Sequence, residues 1–145
     1  MLAIGCDHAG FHFKNSFIQM LEREGFPHTD LGCYSEDSVD YPDIANAVAR
    51  DVLAGNSRYG VLICRTGIGM SIVANRFAGI RCAVCTDVFL ARMAREHNDA
   101  NVLAIGSDVV GPGLAEEILR VFLNTAFLGG RHAARVNMID AADRR

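Results

Sequence analysis

Short apolar segments alternate with segments of helical periodicity along the whole chain, and this alternation constrains the fold more than any other feature. Strands that alternate with helices form a parallel sheet whose two faces are covered by those helices. The sequence therefore predicts a three-layer αβα Rossmann-like sandwich with a five-stranded parallel sheet in the order 2-1-3-4-5. The predicted strands lie at residues 2–5, 28–31, 60–64, 80–85 and 102–106.

The segments between the strands have apolar residues at helical spacing, and glycine or proline marks several of their ends. They predict five helices, and a sixth short helix from residue 131 to about 142 forms a C-terminal helical extension. In the fourth helix, Phe89 and Met93 are predicted to pack in the core. Since no linker, repeat or low-complexity tract interrupts the pattern, residues 1–145 are predicted to form a single domain.

Composition and charge exclude several classes of function. The formal net charge of −3 favours neither nucleic acid nor an anionic membrane surface as a partner. No apolar run approaches the roughly 20 residues of a membrane span, and no basic segment of a signal peptide precedes Leu2. The five cysteines, an odd number, are expected to be reduced thiols in a cytoplasmic protein. Cys82 and Cys85 fall on opposite sides of a predicted strand and are expected to be buried residues rather than metal ligands.

The turn between the third strand and the third helix has the composition of a reactive site. Its sequence is Cys-Arg-Thr-Gly-Ile-Gly-Met-Ser over residues 64–71. In an open α/β sheet, ligands bind beyond the carboxyl ends of the strands. Backbone N–H groups at the start of a helix attract anions, and the same field lowers the pKa of a thiol. We therefore predict a reactive thiolate at Cys64 beside an anion-binding loop.

Three functions compete for this turn. A phosphatase-type loop needs arginine six positions after the cysteine, and Met70 stands there, so this function is excluded. A dinucleotide-binding turn fits Gly67 and Gly69 but has Ile72 in place of its third glycine. Asp87 lies about 20 residues further on, where a ribose-binding acid belongs, so this function stays open. The third function is a thiolate base beside an oxyanion-binding loop, and it stays open as well.

Polar residues outside the turn are further candidates. Asp7 and His8 follow the first strand, and the predicted strand order places them across one cleft from the cysteine turn. There Asp7 can bind substrate hydroxyls and His8 a phosphate. His97 closes the fourth helix, where a cationic side chain is favourable for the helix dipole alone, so a structural and a catalytic role are equally favoured. Arg131 and Arg135 share one helix face and can hold a phosphate.

Together these residues resemble the sugar-phosphate isomerase family of ribose-5-phosphate isomerase B, which includes the galactose-6-phosphate isomerase subunits. Several separated blocks in one order carry the resemblance, which makes it far more specific than any single motif. The blocks are GCDHAG at residues 5–10, DYP at 40–42, Cys64 with TGIG at 66–69, NRFAGIR at 75–81, HNDANVL at 97–103, and GGRH at 129–132 with Arg135.

The resemblance implies a metal-free, cofactor-free aldose–ketose isomerisation of a phosphorylated sugar, first of all ribose 5-phosphate to ribulose 5-phosphate. It makes Cys64 the base that moves a proton between C2 and C1, and His97 the acid/base in ring opening. Thr66 and the amides of residues 65–69 steady the enediolate. The implied substrate-binding residues are Asp7, Tyr41 and Asn98 for hydroxyls, His8, Arg131 and Arg135 for the phosphate, and Gly67, Ile68 and Gly69 in the turn. The family also implies a homodimer or tetramer whose sites are shared between subunits.

Two positions depart from the family pattern. Arg65 stands where the family has glycine, and Asp108 where it usually has an arginine that helps to hold the substrate. One positive charge is lost and one is gained, so we hypothesise that Arg65 takes over part of the anion-holding task. The substrate is therefore open to a tetrose phosphate or a galactose-6-phosphate or allose-6-phosphate type of sugar. Two further functions stay open, a nucleotide-binding module and a subunit that works only with a paralogue.

Overall fold

A computed structural model describes residues 1–142 of the chain, and it has the predicted layers. A five-stranded parallel sheet lies between two layers of helices, so the predicted fold class is confirmed. The strands are β1 (Leu2–Cys6), β2 (His28–Asp30), β3 (Tyr59–Cys64), β4 (Cys82–Val84) and β5 (Val102–Gly106). The helices are α1 (Phe11–Arg23), α2 (Tyr41–Leu53), α3 (Ile68–Ala74), α4 (Val88–Asn98), α5 (Pro112–Asn124) and α6 (Arg131–Asp140).

The order of the last two strands differs from the prediction. The sheet runs β2-β1-β3-β5-β4, so β5 rather than β4 lies beside β3. All five residues of β5 are buried, whereas the three residues of β4 are only partly buried. The longer, fully buried strand takes the inner position, and the short, partly buried strand forms the edge. The neighbouring pair β1 and β3 is placed as predicted.

Alternate residues of the strands belong to two separate hydrophobic clusters. On one face Ile4 and Ile63 pack with helices α1, α4 and α5. On the other face Leu62 and Cys64 pack with helices α2 and α3. This alternation follows from the two-residue period of a strand, and it directs the Cys64 side chain toward α3, the helix that its own turn begins.

Helix α4 turns a different face to the core than the sequence predicted. Ala91 and Ala94 are buried, and Met93 is half-buried. Phe89, predicted to be a core residue, has 62% of its surface exposed. Because a helix turns about 100° per residue, Phe89 lies on nearly the opposite side of α4 from Ala91. The prediction for Phe89 was wrong because apolar character alone does not determine burial.

A buried arginine fixes the end of α4. Arg95 is 2% exposed, and its guanidinium donates to Tyr59 Oη at 3.0 Å, to the Ala100 carbonyl at 2.7 Å and to Asp99 Oδ1 at 2.8 Å. Asp99 has a φ of 45°, and this left-handed residue turns the chain from α4 into β5. The position of His97, two residues before Asp99, therefore depends on this network.

The strand ends, as distinct from the edge strands, form two opposite sides of the sheet that we call the carboxyl edge and the amino edge. The carboxyl edge is formed by the ends of β1, β3 and β5 at Cys6, Cys64 and Gly106. The amino edge is formed by the starts of these strands and by the end of α4, which runs back across the sheet. Over residues 1–142, every helix is too short or too polar to cross a membrane.

Candidate active site

The turn after β1 packs directly on the end of β3. The Asp7 amide donates to the Ile63 carbonyl at 3.0 Å, and the Asp7 carboxylate accepts from the Gly10 amide at 3.1 Å. A methyl group at position 10 would lie 2.7 Å from the Ile63 carbonyl oxygen, so only glycine allows this approach. The predicted meeting of Asp7 with the end of β3 is therefore present in one chain.

The Cys64 turn folds back so that a backbone amide points at the sulfur. The Gly67 amide donates to Cys64 Sγ at 3.1 Å, and such a donor interacts more strongly with a thiolate than with a thiol. Gly67 has a φ of 77°, and a methyl group there would lie 3.1 Å from the Ile105 carbonyl carbon. Thr66 Oγ1 accepts from the Ile68 amide at 3.3 Å. Cys64 is 5% exposed, while Thr66 and Ile68 are open to solvent.

Ser107 joins this turn to its neighbours, and sequence reasoning missed it. Its amide donates to the Cys64 carbonyl at 2.8 Å, and its hydroxyl donates at 3.3 Å to the carbonyls of Cys64 and Ala9. A methyl group on Gly106 would lie 2.8 Å from Thr66 Cα, so the two segments are in close contact. The predicted strand order placed β5 one strand further from Cys64, which is why Ser107 was not a candidate.

Tyr41 and His8 complete the group at the carboxyl edge. Tyr41 begins α2, and its ring lies so close to Gly69 that a methyl group there would be 2.8 Å from Tyr41 Cζ. His8 Nδ1 accepts from the Val39 amide at 3.4 Å, which ties the segment before α2 to the turn after β1. The predicted residues gathered at this edge are Asp7, His8, Tyr41, Cys64, Arg65, Thr66, Gly67, Ile68 and Gly69.

The other predicted residues form a second group at the end of α4 and the start of α6. The rings of His97 and His132 stack with 4.2 Å between centroids and 7° between planes. Desolvation, followed by the nearby His97, Arg131 and Arg135, lowers the pKa of His132. His132 was not predicted as a site residue, although the GGRH block contains it. The group therefore combines two imidazoles with two guanidiniums.

The two groups lie at opposite edges of the sheet. Cys64 pairs with Gly106 and Gly60 pairs with Val102, so the strand segment between the edges has a length of about 13 Å. His97 lies before Val102, at the amino edge, and Cys64 lies at the carboxyl edge. Within one chain, His97, Asn98, Arg131 and Arg135 are therefore not brought to Cys64.

A family model described as Ribose/Galactose Isomerase matches residues 2–139. The chain belongs to the ribose/galactose isomerase family. It is 46% identical over 144 residues to ribose-5-phosphate isomerase B of Escherichia coli, covering 99% of this chain and 97% of that protein. It matches the structure of Clostridium thermocellum ribose-5-phosphate isomerase B with a TM-score of 0.97, at 46% identity and with 99% and 97% coverage. It is also 42% identical over 142 residues to D-erythrulose-4-phosphate isomerase of Pectobacterium atrosepticum, covering 95% of this chain and 91% of that protein.

Three other cysteines of this member of the isomerase family are thiols whose pKa is raised by their surroundings. Burial, followed by the charge of Asp87, raises the pKa of Cys85 to about 12. Burial also raises the pKa of Cys6 and of Cys82 far above the ordinary value of a thiol. These three side chains therefore stay protonated at neutral pH and have the properties of small apolar residues.

A cleft of about 400 Å³ lies at the amino edge, away from Cys64. Its lining includes Arg81 and, of the predicted site residues, Asn98. The Arg81 guanidinium pairs with Asp99 at 3.0 Å and Asp140 at 3.1 Å, so its charge is already compensated within the isomerase. In residues 1–142 no three His, Cys, Asp or Glu side chains are grouped to hold a metal ion.

Arg65 and Asp108, singled out together from the sequence, contact each other. Arg65 Nη1 donates to Asp108 Oδ2 at 3.2 Å. Both residues lie at the carboxyl edge, because Arg65 follows Cys64 and Asp108 follows the end of β5. The Arg65 cation beside Cys64 thus has an anionic partner that the sequence alone did not reveal.

Proposed function

We propose that this isomerase interconverts ribose 5-phosphate and ribulose 5-phosphate through an enediolate, with Cys64 as the base. The observation that carries the proposal is the 3.1 Å contact between the Gly67 amide and the Cys64 sulfur, in a turn where three strand ends meet. Relatives named ribose-5-phosphate isomerase B match almost the full length of this chain, which supports the pentose phosphate as the first substrate.

The chemistry needs a base and a group that holds negative charge. The Cys64 thiolate removes the proton on C2 of the aldose. The electron pair of the broken C2–H bond forms the C1–C2 double bond of the enediolate, and the negative charge moves to O1. Among the amides of residues 65–69, those of Gly67 and Ile68 have acceptors within the turn, so the remaining amides and the Thr66 hydroxyl donate to the charged oxygen. Meanwhile a proton passes from O2 to O1. The thiol then returns its proton to C1. A positioned base contributes typically about 10²–10⁴ in rate, and each oxyanion donor about 10²–10³.

The other residues of the carboxyl edge bind the rest of the substrate in this proposal. Asp7 and Tyr41 contact hydroxyls, and His8 contacts the phosphate. Asp7 is only 7% exposed and is held by the Gly10 amide, so its carboxylate is fixed before the sugar arrives. Fixed polar groups of this kind reduce the cost of orienting the substrate.

The site is completed by a second copy of the chain. The copy supplies His97 as the acid/base in ring opening, Asn98 for a hydroxyl, and Arg131 and Arg135 for the phosphate. The separation of the two groups within one chain supports this arrangement, because neither group is sufficient alone. Exposed apolar side chains support it as well, since an oligomer interface would cover them. They include Ile68 at 55%, Ile72 at 61% and Phe89 at 62% exposure. A homodimer is the smallest assembly that fits, and a tetramer would pair two such dimers.

We further propose that the enzyme acts in the cytoplasm. All five cysteines are unpaired thiols, which fits a reducing compartment. Oxidation of Cys64 would remove the base, so the proposed chemistry needs such a compartment.

The substrate is tested with a panel of aldose phosphates of four, five and six carbons, with EDTA present and ketose formation as the readout. We expect the highest kcat/KM with ribose 5-phosphate. The relative named D-erythrulose-4-phosphate isomerase makes a tetrose 4-phosphate the second candidate, and a higher kcat/KM with it would replace the first. No turnover by the purified chain with any of these sugars would contradict the isomerase function of a homo-oligomer.

The shared site is tested by mixing two inactive variants, Cys64→Ala and His97→Asn, and refolding them together. In a mixed dimer one site combines Cys64 of one chain with His97 of the other, so about a quarter of the wild-type activity returns at equal amounts. Each variant refolded alone is the control. If Cys64 and His97 of the same chain acted together, the mixture would stay inactive.

A further inference from the structure

Arg65 reaches from the Cys64 turn to the segment that follows β5. Its Nη1 donates to Asp108 Oδ2 at 3.2 Å, and the Asp108 amide donates to the Arg65 carbonyl at 3.0 Å. The two residues are thus joined by both backbone and side chain. The Arg65 side chain is nevertheless 71% exposed and that of Asp108 56% exposed. Ion pairs this exposed add little to stability, so stability alone does not account for a cation held next to the base.

The guanidinium of Arg65 keeps one edge open. Among the described residues, Nη1 is the only nitrogen of the Arg65 guanidinium that donates a hydrogen bond. The Nε and Nη2 donors form the edge that binds a phosphate through two parallel hydrogen bonds. A carboxylate on Nη1 leaves that edge accessible, and it limits the rotamers that a long exposed side chain would otherwise sample.

We propose that Arg65 binds the phosphate of the substrate through Nε and Nη2, and that Asp108 is a positioning residue that holds the guanidinium through Nη1. The inference rests on the proposed function, because a sugar phosphate carries its phosphate at the opposite end from the C1 and C2 atoms that react at Cys64. A long side chain that starts beside Cys64 reaches that far end. The pair therefore favours phosphorylated sugars over sugars that lack the phosphate.

Two opposing effects of Asp108 can be separated by substitution. Its carboxylate orients Arg65, but its negative charge also repels the phosphate. Asp108→Asn keeps an oxygen that can accept from Nη1 and removes the charge, whereas Asp108→Ala removes the acceptor. If positioning is the larger effect, Asp108→Ala weakens substrate binding and Asp108→Asn retains it.

The experiment measures KM and kcat for ribose 5-phosphate and the inhibition constant of inorganic phosphate. We expect Arg65→Gln to raise KM and the phosphate inhibition constant about tenfold, with kcat nearly unchanged, because a bidentate contact is lost in ground state and transition state alike. Asp108→Ala is expected to raise KM about threefold, and this effect disappears in the Arg65→Gln background because the two residues act as one unit. Arg23→Gln, which removes an exposed cation from the end of α1, is the control for net charge and leaves both constants unchanged.

Two results would overturn the inference while the proposed function stands. One is that the Arg65→Gln variant has the same kcat and the same KM as the wild-type protein. The other is an equal effect of Asp108→Ala with and without Arg65, which would indicate direct repulsion instead of positioning. If the wild-type chain has no turnover, the proposed function fails. Calorimetric binding of inorganic phosphate to wild-type and Arg65→Gln protein then decides the inference separately, since equal affinities contradict it.

Discussion

The two edges of the sheet are built in different ways although the same strands form both. At the carboxyl edge, backbone groups of three turns bond to one another, and the cysteine sulfur lies among them. At the amino edge, side chains dominate, with a buried arginine below and a stack of two imidazoles at the surface. A base needs a fixed position, and backbone contacts provide it. Groups that, as we propose, meet a ligand held by another copy must instead be exposed, and the imidazoles and arginines of the amino edge lie at or near the ends of helices.

The largest effect that we expect separates activity from folding at the carboxyl edge. Cys64→Ala should reduce turnover of ribose 5-phosphate by about 10³-fold or more, because it removes the proposed base. The circular dichroism spectrum should stay unchanged, because alanine suits the end of a buried strand. Cys85→Ala is the matched control, since the raised pKa of Cys85 keeps it a thiol, and turnover should persist. Equal losses in both variants would mean that the cysteines matter only for packing.

At the amino edge we expect the largest effect on stability. Arg95→Met should lower the free energy of unfolding by about 3 kcal/mol, because it breaks a buried charge network and leaves the Ala100 carbonyl and Tyr59 hydroxyl without their donor. Urea denaturation measures this loss. Arg92→Met, an exposed position on the same helix, is the control and should change stability little. If the two variants were equally stable, the end of α4 would not depend on Arg95.

The close contact between the turns of the carboxyl edge can be tested with one methyl group. Gly10→Ala should cost roughly 1–3 kcal/mol of stability and reduce turnover, because the new carbon would lie 2.7 Å from a backbone oxygen of Ile63. Gly113→Ala in α5 meets no atom within 4 Å, so it should leave turnover unchanged and stability equal or higher. A fully active, equally stable Gly10→Ala protein would contradict the contact.

The smallest effect concerns the pH dependence of stability at the amino edge. Because the folded state lowers the pKa of His132 below about 6.5, the unfolded chain binds more protons just below that pH. His132 therefore contributes stability that is present above about pH 6.5 and is lost as the pH falls toward its folded-state pKa. His132→Gln should reduce the dependence of the melting temperature on pH between those two values. A variant with an unchanged slope would show that His132 does not carry this dependence.

The sequence predicted the layers and most strand and helix positions, because apolar spacing reports burial directly. It did not predict that β4 and β5 exchange places in the sheet order. Both segments are apolar, and they differ only in the length of the strand that each forms in the folded chain. Ser107 and the contact between Arg65 and Asp108 were not predicted for the same reason, because both depend on β5 lying beside β3. Phe89 was misplaced for another reason: an apolar residue exposed on one chain cannot be told from a core residue by its type.

The placement of the candidate site residues at two opposite edges has a consequence for dilution. If Cys64 needs the cations of another copy, an isolated chain holds two halves of different centres and no complete one. The rate per chain should then fall once the protein concentration drops below the dissociation constant of the dimer, while its fold persists. In a cell, a newly made chain would acquire activity only upon meeting its first partner.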